Sequence, residues 1–294
     1  MTYERPEILK VTINKIFDQT YPPEKLLIID NSDSETTYLL IKGLSDSRIV
    51  YHRTGSNIGP AGASKIGLEI LADEGYDWIY WGDDDDPPHF NHVFETLLET
   101  AKLTNNVGVV GAAGNKFNKK NGTVLRTLDQ ELQGDGFLEV DVIAGNVSLI
   151  VNKDVVKMGV LPDPRLFLNV EEYDFCLRAK RKGFKIIVDR SIFKQYREFK
   201  GRLGLPQRPK SVFPKYSVLW RRYYSTRNTI YILRKNEKSL IGALNVSIRA
   251  FIKMVVGFKN GWNYGTCNFS MEAKGVYHGW MSIMGITVQP NRKY

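Results

Sequence analysis

The sequence predicts an α/β protein with a mostly parallel central sheet, followed by a helical C-terminal region. In the first half of the chain, short apolar runs of strand length alternate with amphipathic segments of helix length. The aromatic run at residues 76–81 leads to four consecutive aspartates, residues 83–86, and Pro87-Pro88 prevents the strand from continuing. Open α/β sheets bind ligands at the carboxyl ends of their strands, so the aspartates mark the expected functional site.

The first predicted elements form a β-α-β unit. Residues 6–19 place apolar side chains at helical spacing, with a proline suited to the first turn and a double proline beyond the end. We expect a buried strand over residues 25–29, a helix over 35–43 and a second strand over 49–54. This alternation favours parallel pairing, and it puts the polar loop that begins at Asp30 at a strand's carboxyl end.

A Gly-rich loop, residues 55–62, precedes the next predicted helix, residues 63–74. Its small residues would let backbone N–H groups and a helix N-terminus approach an anion, although a plain turn explains such a loop equally well. Lys65 would add a positive charge at the same place.

The alternation continues beyond the aspartates. We expect a helix over residues 90–103, a strand over 107–112, a polar excursion over 114–136 and a strand-like run over 138–151.

Two adjacent acids, Glu171 and Glu172, begin a helix that ends near residue 182, and a strand is expected over residues 184–188. Asn169, with Glu172 three residues later, matches a capping box, which would give Glu172 a purely structural part. A glutamate at a helix N-terminus is also stabilised as the carboxylate, the form that a general base requires. The residues alone leave both interpretations open.

The rest of the chain is predicted to be basic and largely helical. A basic, proline-containing stretch over residues 197–214 leads to a helix over 220–235. One helical face then collects six apolar side chains: Leu240, Leu244, Ile248, Phe251, Ile252 and Val255. Such a stripe usually packs in a core, and a membrane-surface face is the alternative. Residues 257–294 are rich in glycine and aromatic residues and fit no element pattern.

The aspartate cluster predicts a divalent cation. Two like charges about 4 Å apart repel by roughly 4 kcal/mol at an effective dielectric constant near 20, and a bound cation relieves that repulsion. Hard carboxylate oxygens suit Mg²⁺ or Mn²⁺, which commonly bridge protein carboxylates to substrate phosphates. A solvated acidic loop is the alternative, and the position at the end of a strand argues against it.

Composition indicates a globular, intracellular protein. Its 294 residues are 43% hydrophobic, enough for one large domain or two small ones. Cys176 and Cys267 form no CxxC motif or disulfide framework, so we expect a reducing cytoplasm. We also expect no signal peptide. Arg249 and Lys253 interrupt the longest apolar run, so no uninterrupted stretch reaches the ~18 residues of a membrane span.

The net charge of +9 conceals an asymmetry along the chain. From Cys176 onward there are 25 lysines and arginines against 4 acidic residues, so this part carries +21 and the remainder −12. An acidic half that binds a metal-nucleotide and a basic half that meets an anionic surface or acceptor would explain this. We expect no nucleic acid partner, because the basic residues are spread along the chain and no nucleic-acid-binding motif is present.

Taken together, the motifs resemble those of inverting family-2 glycosyltransferases with the GT-A fold, over about residues 2–233. The matching segments are the opening loop (2–7), a helix end (19–23), the acidic loop on the base side (29–32), the donor loop (57–62, with Gly67), the metal motif (Asp83-Asp84-Asp85 and Pro88), the acidic pair (171–178) and a segment typical of galactofuranosyl- and rhamnosyl-transferring members (223–228). We therefore expect a GT-A nucleotide-sugar and metal-binding domain over residues 1–196 and an acceptor- or membrane-side region over 197–294.

The resemblance implies a metal-dependent transferase that moves a sugar from a nucleoside diphosphate to a hydroxyl of a cell-surface glycan or lipid-linked acceptor. Asp83 and Asp85 would bind Mn²⁺ or Mg²⁺, and Glu172 would be the general base, with Glu171 as the alternative. UDP-galactofuranose is the first donor implied and dTDP-rhamnose the second. The residues implied in donor binding are Thr2, Tyr3, Arg5, Asp30, Asn57, Gly59, Lys65, Asp84 and Arg227. Asp30 would recognise the base, whereas solvated helix charges are an equal explanation for Arg227.

The sequence departs from the family pattern in three places. Lys65 stands where the family often has Asn, so that contact would be ionic. The family frequently places a histidine ligand after the strand that follows the base helix, but residues 93–277 contain no histidine, and Gln195 or Tyr196 stands there. The family's first strand precedes the opening loop, so we expect the natural chain to begin before Met1 with an apolar, β-branched run of about five residues.

Two other function classes compete with this interpretation. An inactive relative that binds nucleotide or carbohydrate as a partner subunit is favoured by the missing strand and histidine, and opposed by the intact aspartates and Glu172. A sugar-nucleotide nucleotidyltransferase would need a Gly-rich and Lys signature near its first strand, and none is visible.

Overall fold

A computed structural model of the chain describes residues 1–145, 147–205 and 214–289. The α-helices are α1 (Pro6–Phe17), α2 (Thr36–Leu44), α3 (Gly59–Asp73), α4 (Val93–Lys102), α5 (Lys153–Lys157), α6 (Glu171–Arg181), α7 (Arg190–Phe199), α8 (Trp220–Tyr231), α9 (Leu240–Val256) and α10 (Trp262–Met281). The strands are β1 (Leu26–Asp30), β2 (Ile49–Arg53), β3 (Trp78–Trp81), β4 (Val107–Gly111), β5 (Gly114–Asn118), β6 (Thr123–Leu125), β7 (Phe137–Glu139), β8 (Val142–Ile143), β9 (Leu149–Asn152) and β10 (Lys185–Asp189). This mixed α/β architecture with a helical C-terminal region confirms the predicted fold class.

The central sheet is mixed, with strand order β3-β9-β4-β10-β7. Only β4 and β10 pair in parallel; β9 is antiparallel to both β3 and β4, and β7 is antiparallel to β10. The expectation of a mostly parallel sheet is therefore wrong for this sheet. Residues 138–151 are not one strand but parts of β7, β8 and β9, and β9 returns between β3 and β4.

Both faces of this sheet are covered. Ile186 and Val188 of β10 pack in one apolar cluster with α6, whereas Ile187 between them packs in a second cluster with α4. This alternation follows from the two-residue period of a strand. The long apolar runs of the sequence are explained by burial on both sides.

A gap separates β1 from β3. β1 and β2 form a separate parallel pair, and the free edge of β1 faces β3 across a cavity of about 70 Å³ lined by apolar side chains of both strands. Only the first two residues enter the gap. The Thr2 N–H donates to the Ile29 carbonyl at 3.0 Å on one side, and the Met1 amino group donates to the Gly82 carbonyl at 3.0 Å on the other. Within the described residues, no strand fills the place of the expected first strand.

The C-terminal helices pack mainly on one another. α10 lies against α8 and α9, and Tyr231 at the end of α8 also joins the cluster that covers the central sheet. α10 was not predicted, and α7 falls partly in the stretch for which only a basic, proline-containing segment was expected. α7 also crosses residue 196, the expected domain boundary. Parts of two predicted segments, residues 206–213 and 290–294, lie outside the described residues.

The predicted apolar stripe of α9 is exposed to solvent. Leu240, Leu244, Ile248, Phe251, Ile252 and Val255 are all more than half exposed. The face that packs against the protein consists of other residues, among them Ala243, Val246, Ala250 and Met254. The interpretation of the stripe as core packing is therefore wrong.

Candidate functional site

Four loops meet at the carboxyl ends of β1 and β3. They are residues 1–5, 30–34, 57–62 and 83–86, which include most of the positions predicted to bind the donor. Side-chain and backbone bonds tie them together. Glu4 accepts hydrogen bonds from the Asp33 and Ser34 N–H groups at 2.8 Å, and the Asn31 amide donates to the Gly59 carbonyl at 3.2 Å.

Asp84 holds the aspartate turn in place. Its buried carboxylate accepts a hydrogen bond from Thr2 Oγ1 at 2.7 Å and forms an ion pair with Arg5 at 2.5 Å. Its backbone carbonyl accepts from Thr12 Oγ1 at 2.5 Å. These bonds fix the conformation of the aspartate turn. They also leave the Asp84 carboxylate little capacity to bind a ligand.

Two other aspartates of the turn, Asp83 and Asp86, have raised pKa values. Burial, followed by the neighbouring charges of Asp85 and Asp84, raises the pKa of Asp83 to about 6. Burial also raises the pKa of Asp86 to about 6. Asp85 is half exposed and forms an ion pair with Arg5 at 2.5 Å. A cation bound here would favour the ionised form of these carboxylates.

The side chains available as metal ligands fit a metal ion that is held jointly by the protein and the substrate. The described part of the chain offers no group of three or more His, Cys, Asp or Glu side chains that could hold a metal ion. Asp83 and Asp85 supply carboxylate oxygens, and Mg²⁺ is commonly bound by one or two carboxylates together with substrate phosphates and water. The residues present are thus compatible with a metal-diphosphate complex rather than with a protein-only metal site.

The position where the resemblance places a histidine ligand lies on α7. Gln195 there donates to Ser191 at 3.3 Å, and the Tyr196 ring stacks on His89 with 5.2 Å between centroids. His89 Nε2 and Asp86 Oδ2 are both buried without a hydrogen-bond partner among the described residues.

Asp30 is fully buried at the end of β1. Its carboxylate accepts hydrogen bonds from the Ser32 N–H and the Tyr51 hydroxyl, each at 2.8 Å. The hydrogen bond and the burial raise the pKa of Tyr51, with burial the larger effect. Asp30 therefore shapes its own loop, and contact with a nucleotide base would require these hydrogen bonds to rearrange.

The Gly-rich loop contains a position that only glycine can occupy. Gly59 has φ +74°, and a Cβ there would lie 2.3 Å from the Phe167 carbonyl oxygen. Asn57 accepts a hydrogen bond from the Gly59 N–H at 3.0 Å, and the Ala61 N–H at the start of α3 donates to the same Phe167 carbonyl at 3.3 Å. One N–H group of this helix terminus is therefore already satisfied by protein. Lys65 lies on α3 beside Glu69 at 3.7 Å.

Glu171 and Glu172 form a buried acidic pair at the start of α6. Burial raises the pKa of both carboxyls, that of Glu172 to about 8, and the charge of Asp83 adds to the effect on each. Glu171 Oε2 has no hydrogen-bond partner among the described residues. A Cβ at Gly145 would lie 1.9 Å from Glu172 Oε1, so the backbone closes directly over this carboxyl.

The predicted capping box is wrong. Val170 is the N-cap residue of α6 and has φ +61°, while the Asn169 side chain donates to Ser225 and to the Arg221 carbonyl of α8, both at 3.1 Å. Asn169 cannot cap α6 because its own backbone is also left-handed, with φ +69°. Glu172 therefore does not act as the capping-box glutamate of α6.

The loop before the glutamates is strained, and α8 holds it. Phe167, Asn169 and Val170 all have positive φ, which is costly for a β-branched residue such as valine. The Asn228 amide lies 2.8 to 3.0 Å from the carbonyl oxygens of Leu166, Leu168 and Asn169. Sequence reasoning missed Asn228, although its place in the matching segment 223–228 was the available signal.

Arg227 has a structural position. Its guanidinium is fully buried and donates to the carbonyls of Leu166 and Gly285 and to the Tyr223 hydroxyl. The Arg227 side chain is not exposed, so it does not face a phosphate or acceptor site at the surface. For the same reason it is not a solvated helix charge. Arg227 instead ties the C-terminal segment to the loop before α6.

Comparison with known proteins gives matches to a family model, to curated relatives and to solved structures. The family model described as Glycosyl transferase family 2 matches residues 1–153. Galactofuranosyltransferase GlfT1 of Mycolicibacterium smegmatis is 28% identical over 195 residues, which cover 62% of this chain and 64% of that protein. GlfT1 of Mycobacterium tuberculosis is 27% identical over the same share of each chain. The match thus spans less than two thirds of the length of these relatives.

Among solved structures, Staphylococcus aureus TarS aligns with a TM-score of 0.49 and 11% identity, over 94% of this chain and 54% of that one.

Proposed function

The chain belongs to glycosyl transferase family 2, and from this premise we propose that it transfers a hexosyl group from a nucleoside diphosphate to an acceptor hydroxyl, with inversion. The observation that carries the proposal is the meeting of a buried acidic pair, Glu171 and Glu172, with the aspartate turn, where Asp83 raises the pKa of both glutamates. One site would thus hold both the proton acceptor and the ligands of a metal-diphosphate.

UDP-galactofuranose is the donor we favour, with dTDP-rhamnose second. The names of the two mycobacterial relatives support the first choice, at 27 to 28% identity. The acceptor we propose is a cell-surface glycan or a lipid-linked precursor of one.

In the mechanism we propose, Glu172 takes the proton of the acceptor hydroxyl as it attacks the sugar. Its burial keeps water from competing for the carboxylate, and Gly145 limits the directions from which a hydroxyl can approach. Mn²⁺ or Mg²⁺, held by Asp83 and Asp85, would supply positive charge to the leaving diphosphate. Arg5 pairs with Asp84 and Asp85, which places its guanidinium beside the carboxylates that would hold the metal-diphosphate.

We also propose a cytoplasmic enzyme that works peripherally at the inner face of the cell membrane. The two cysteines, Cys176 and Cys267, are free, which suits a reducing compartment. A lipid-linked acceptor would be reached at that surface.

A donor panel tests the proposal. The protein is incubated with Mn²⁺ and with UDP-galactofuranose, UDP-galactopyranose, UDP-glucose or dTDP-rhamnose, and mass spectrometry follows release of the nucleoside diphosphate with and without glycan acceptors. We expect release from UDP-galactofuranose to exceed that from the others. Release from none of the donors by a folded protein that binds UDP would contradict enzymatic function.

UDP binding without release from any donor would favour the alternative, an inactive relative that binds nucleotide as a partner subunit. The observation in its favour is the open gap between β1 and β3, directly below the expected nucleotide site. The two candidates agree on UDP binding and differ only in turnover.

A further inference from the structure

Helix α9 presents a continuous apolar face to solvent. Seven side chains on it are between 51% and 63% exposed: Leu240, Ile241, Leu244, Ile248, Phe251, Ile252 and Val255. At 3.6 residues per turn they cover roughly a third of the helix circumference, and no charged residue lies among them. Trp262, at the start of α10, is 75% exposed. A contiguous apolar surface of this kind marks an interaction site.

The opposite face of α9 is fixed to the protein. Its small and medium apolar side chains are buried against neighbouring elements, and polar contacts hold it on both sides. The Asn245 amide donates to the Lys120 carbonyl at 2.8 Å, and Trp280 Nε1 donates to Ser247 at 2.9 Å. The Asn268 amide donates to the Lys253 carbonyl at 2.8 Å.

These contacts decide between two orientations in a membrane. Leu240–Asn260 is the one described segment that is long and apolar enough, by length and composition, to cross a bilayer. Crossing would strip the packed face from α8 and α10 and break the polar bonds. Lying in the plane of the bilayer surface leaves all of them in place and buries only the exposed face.

The charges around this face are positive. Residues 234–274 contain two acidic side chains, Glu237 and Glu272, and both are buried in ion pairs. Lys238 just before α9 and Lys259 just after it are exposed, at opposite ends of the apolar face. Lysines in these positions can keep their ammonium groups at the level of lipid headgroups.

We propose that the exposed face of α9 docks in the plane of an anionic lipid surface, with its apolar side chains in the headgroup-acyl boundary and the flanking lysines on lipid phosphates. A second copy of the chain is the less favourable occupant, because two such faces would bring lysines of like charge together. The inference rests on the peripheral location proposed above and names the element that makes the contact. Docking on lipid requires no donor, so its test does not depend on the transfer reaction.

Vesicle flotation with the full chain tests this. The probes are phosphatidylcholine vesicles with and without phosphatidylglycerol, at low and high salt. The variant is Leu240→Gln/Leu244→Gln, and the matched control is Leu39→Gln/Leu103→Gln, which replaces two leucines of similar exposure, 60% and 58%, on other surfaces. Melting temperature and UDP affinity are measured for each protein, so that loss of the fold or of the donor site is recognised separately.

We expect the wild type to float with anionic vesicles and less so at high salt, because headgroup attraction is screened. The α9 variant should partition at least about tenfold more weakly, and the control should match the wild type. A wild type that stays with the unbound fraction at low salt would overturn the proposal, as would equal flotation of variant and control. A dimer in sedimentation equilibrium that the α9 variant dissociates would assign the face to a second copy instead.

Discussion

At the scale of single residues, the acidic pair at the start of α6 combines burial with mutual proximity. Glu172 is buried, and its burial together with the charge of Asp83 raises its pKa to about 8, which favours the protonated form at neutral pH. A general base must lose that proton before it can accept another, so donor and cation binding would have to lower the pKa of the pair. The charge of Asp83 is one cause of the raised pKa, so a bound group that offsets this charge would lower the pKa of Glu172.

The first prediction concerns Glu172→Gln. Transfer should fall by ~10²-fold or more, because a general base is lost. In the metal-free protein the variant should be more stable than the wild type at pH 8 but not at pH 5. The pKa of Glu172 is about 8 in the folded protein and 4.5 in the unfolded chain, so between these pH values the folded protein binds one proton more. The stability of the wild type therefore falls as the pH rises from 4.5 to about 8, whereas that of the Gln variant does not. Thermal melts at the two pH values and single-turnover assays measure both effects.

Glu171→Gln is the matched control for this variant. If it abolishes transfer while Glu172→Gln retains near wild-type turnover, the base is Glu171.

The second prediction concerns the metal. UDP should bind much more tightly with Mn²⁺ or Mg²⁺ than without, because Asp83 and Asp85 would hold a cation whose charge offsets that of the diphosphate. Asp85→Asn should abolish that difference in calorimetry. Asp77→Asn is the control, since Asp77 precedes the same strand at its opposite end and pairs with Lys153. Equal UDP affinity of the wild type with and without cation would show that the donor is bound without metal.

At the scale of elements, the segment that determines where the glutamates point is the left-handed loop before α6. Its strain persists because α8 supplies hydrogen bonds to its carbonyl groups, and Asn228 donates to most of them. Asn228 acts on the reaction through the loop and is a positioning residue.

The third prediction follows for Asn228→Ala. Leaving buried carbonyl groups unsatisfied should cost about 1–3 kcal/mol of stability. The kcat for transfer should fall about tenfold, because the loop relaxes and Glu172 moves, while UDP affinity should stay near wild type. Steady-state kinetics and UDP titration separate the two effects. Thr229→Ala, which removes a hydrogen bond within α8, is the control. An Asn228→Ala enzyme with wild-type kcat would show that the loop holds its conformation without α8.

The sequence predicted the elements whose pattern is local. β1, β3 and α4 lie within a few residues of their expected positions, because apolar spacing and proline stops act within one segment. The antiparallel return of β9 depends on pairing with β3 and β4, which lie far away along the chain, and no local pattern encodes such pairing. α10 was missed because glycines break its apolar spacing. Gly275 and Gly279 are required there, since a Cβ at either would lie 2.9 Å from a carbonyl oxygen of α8.

The sequence likewise predicted only those parts of the site that have local sequence signals. The aspartate turn and the acidic pair follow elements with strong local signals. The structural parts of Asp84 and Arg227 could not be foreseen, because each depends on partners far along the chain, such as Thr2 for Asp84 and Gly285 for Arg227.

At the scale of the whole molecule, the gap between β1 and β3 divides what would otherwise be one continuous sheet. Successive N–H groups of a central strand point to opposite neighbours, and residues 1 and 2 behave in this way, one bonded to Gly82 and the other to Ile29. The rest of the gap offers apolar walls and two strand edges without backbone partners among the described residues. The geometry of the gap therefore suits a short apolar strand that runs parallel to β1.

The last prediction uses an engineered extension to test that geometry. Five β-branched apolar residues placed before Met1 should pair with both edges and fill the cavity, whereas an extension of five glycines and serines should do neither. Satisfying several backbone groups at about 0.5–1.5 kcal/mol each is large against a domain stability of ~5–15 kcal/mol, so the melting temperature should rise by several degrees. UDP affinity should rise as well, because the gap lies directly beneath the loops that hold Asp30 and Asp84. Calorimetric melting and UDP titration of the two extended forms and the unextended chain measure these effects. If the apolar extension leaves both quantities equal to those of the glycine-serine form, the sheet does not accept a strand between β1 and β3, and the loops above it are held by their own hydrogen bonds alone.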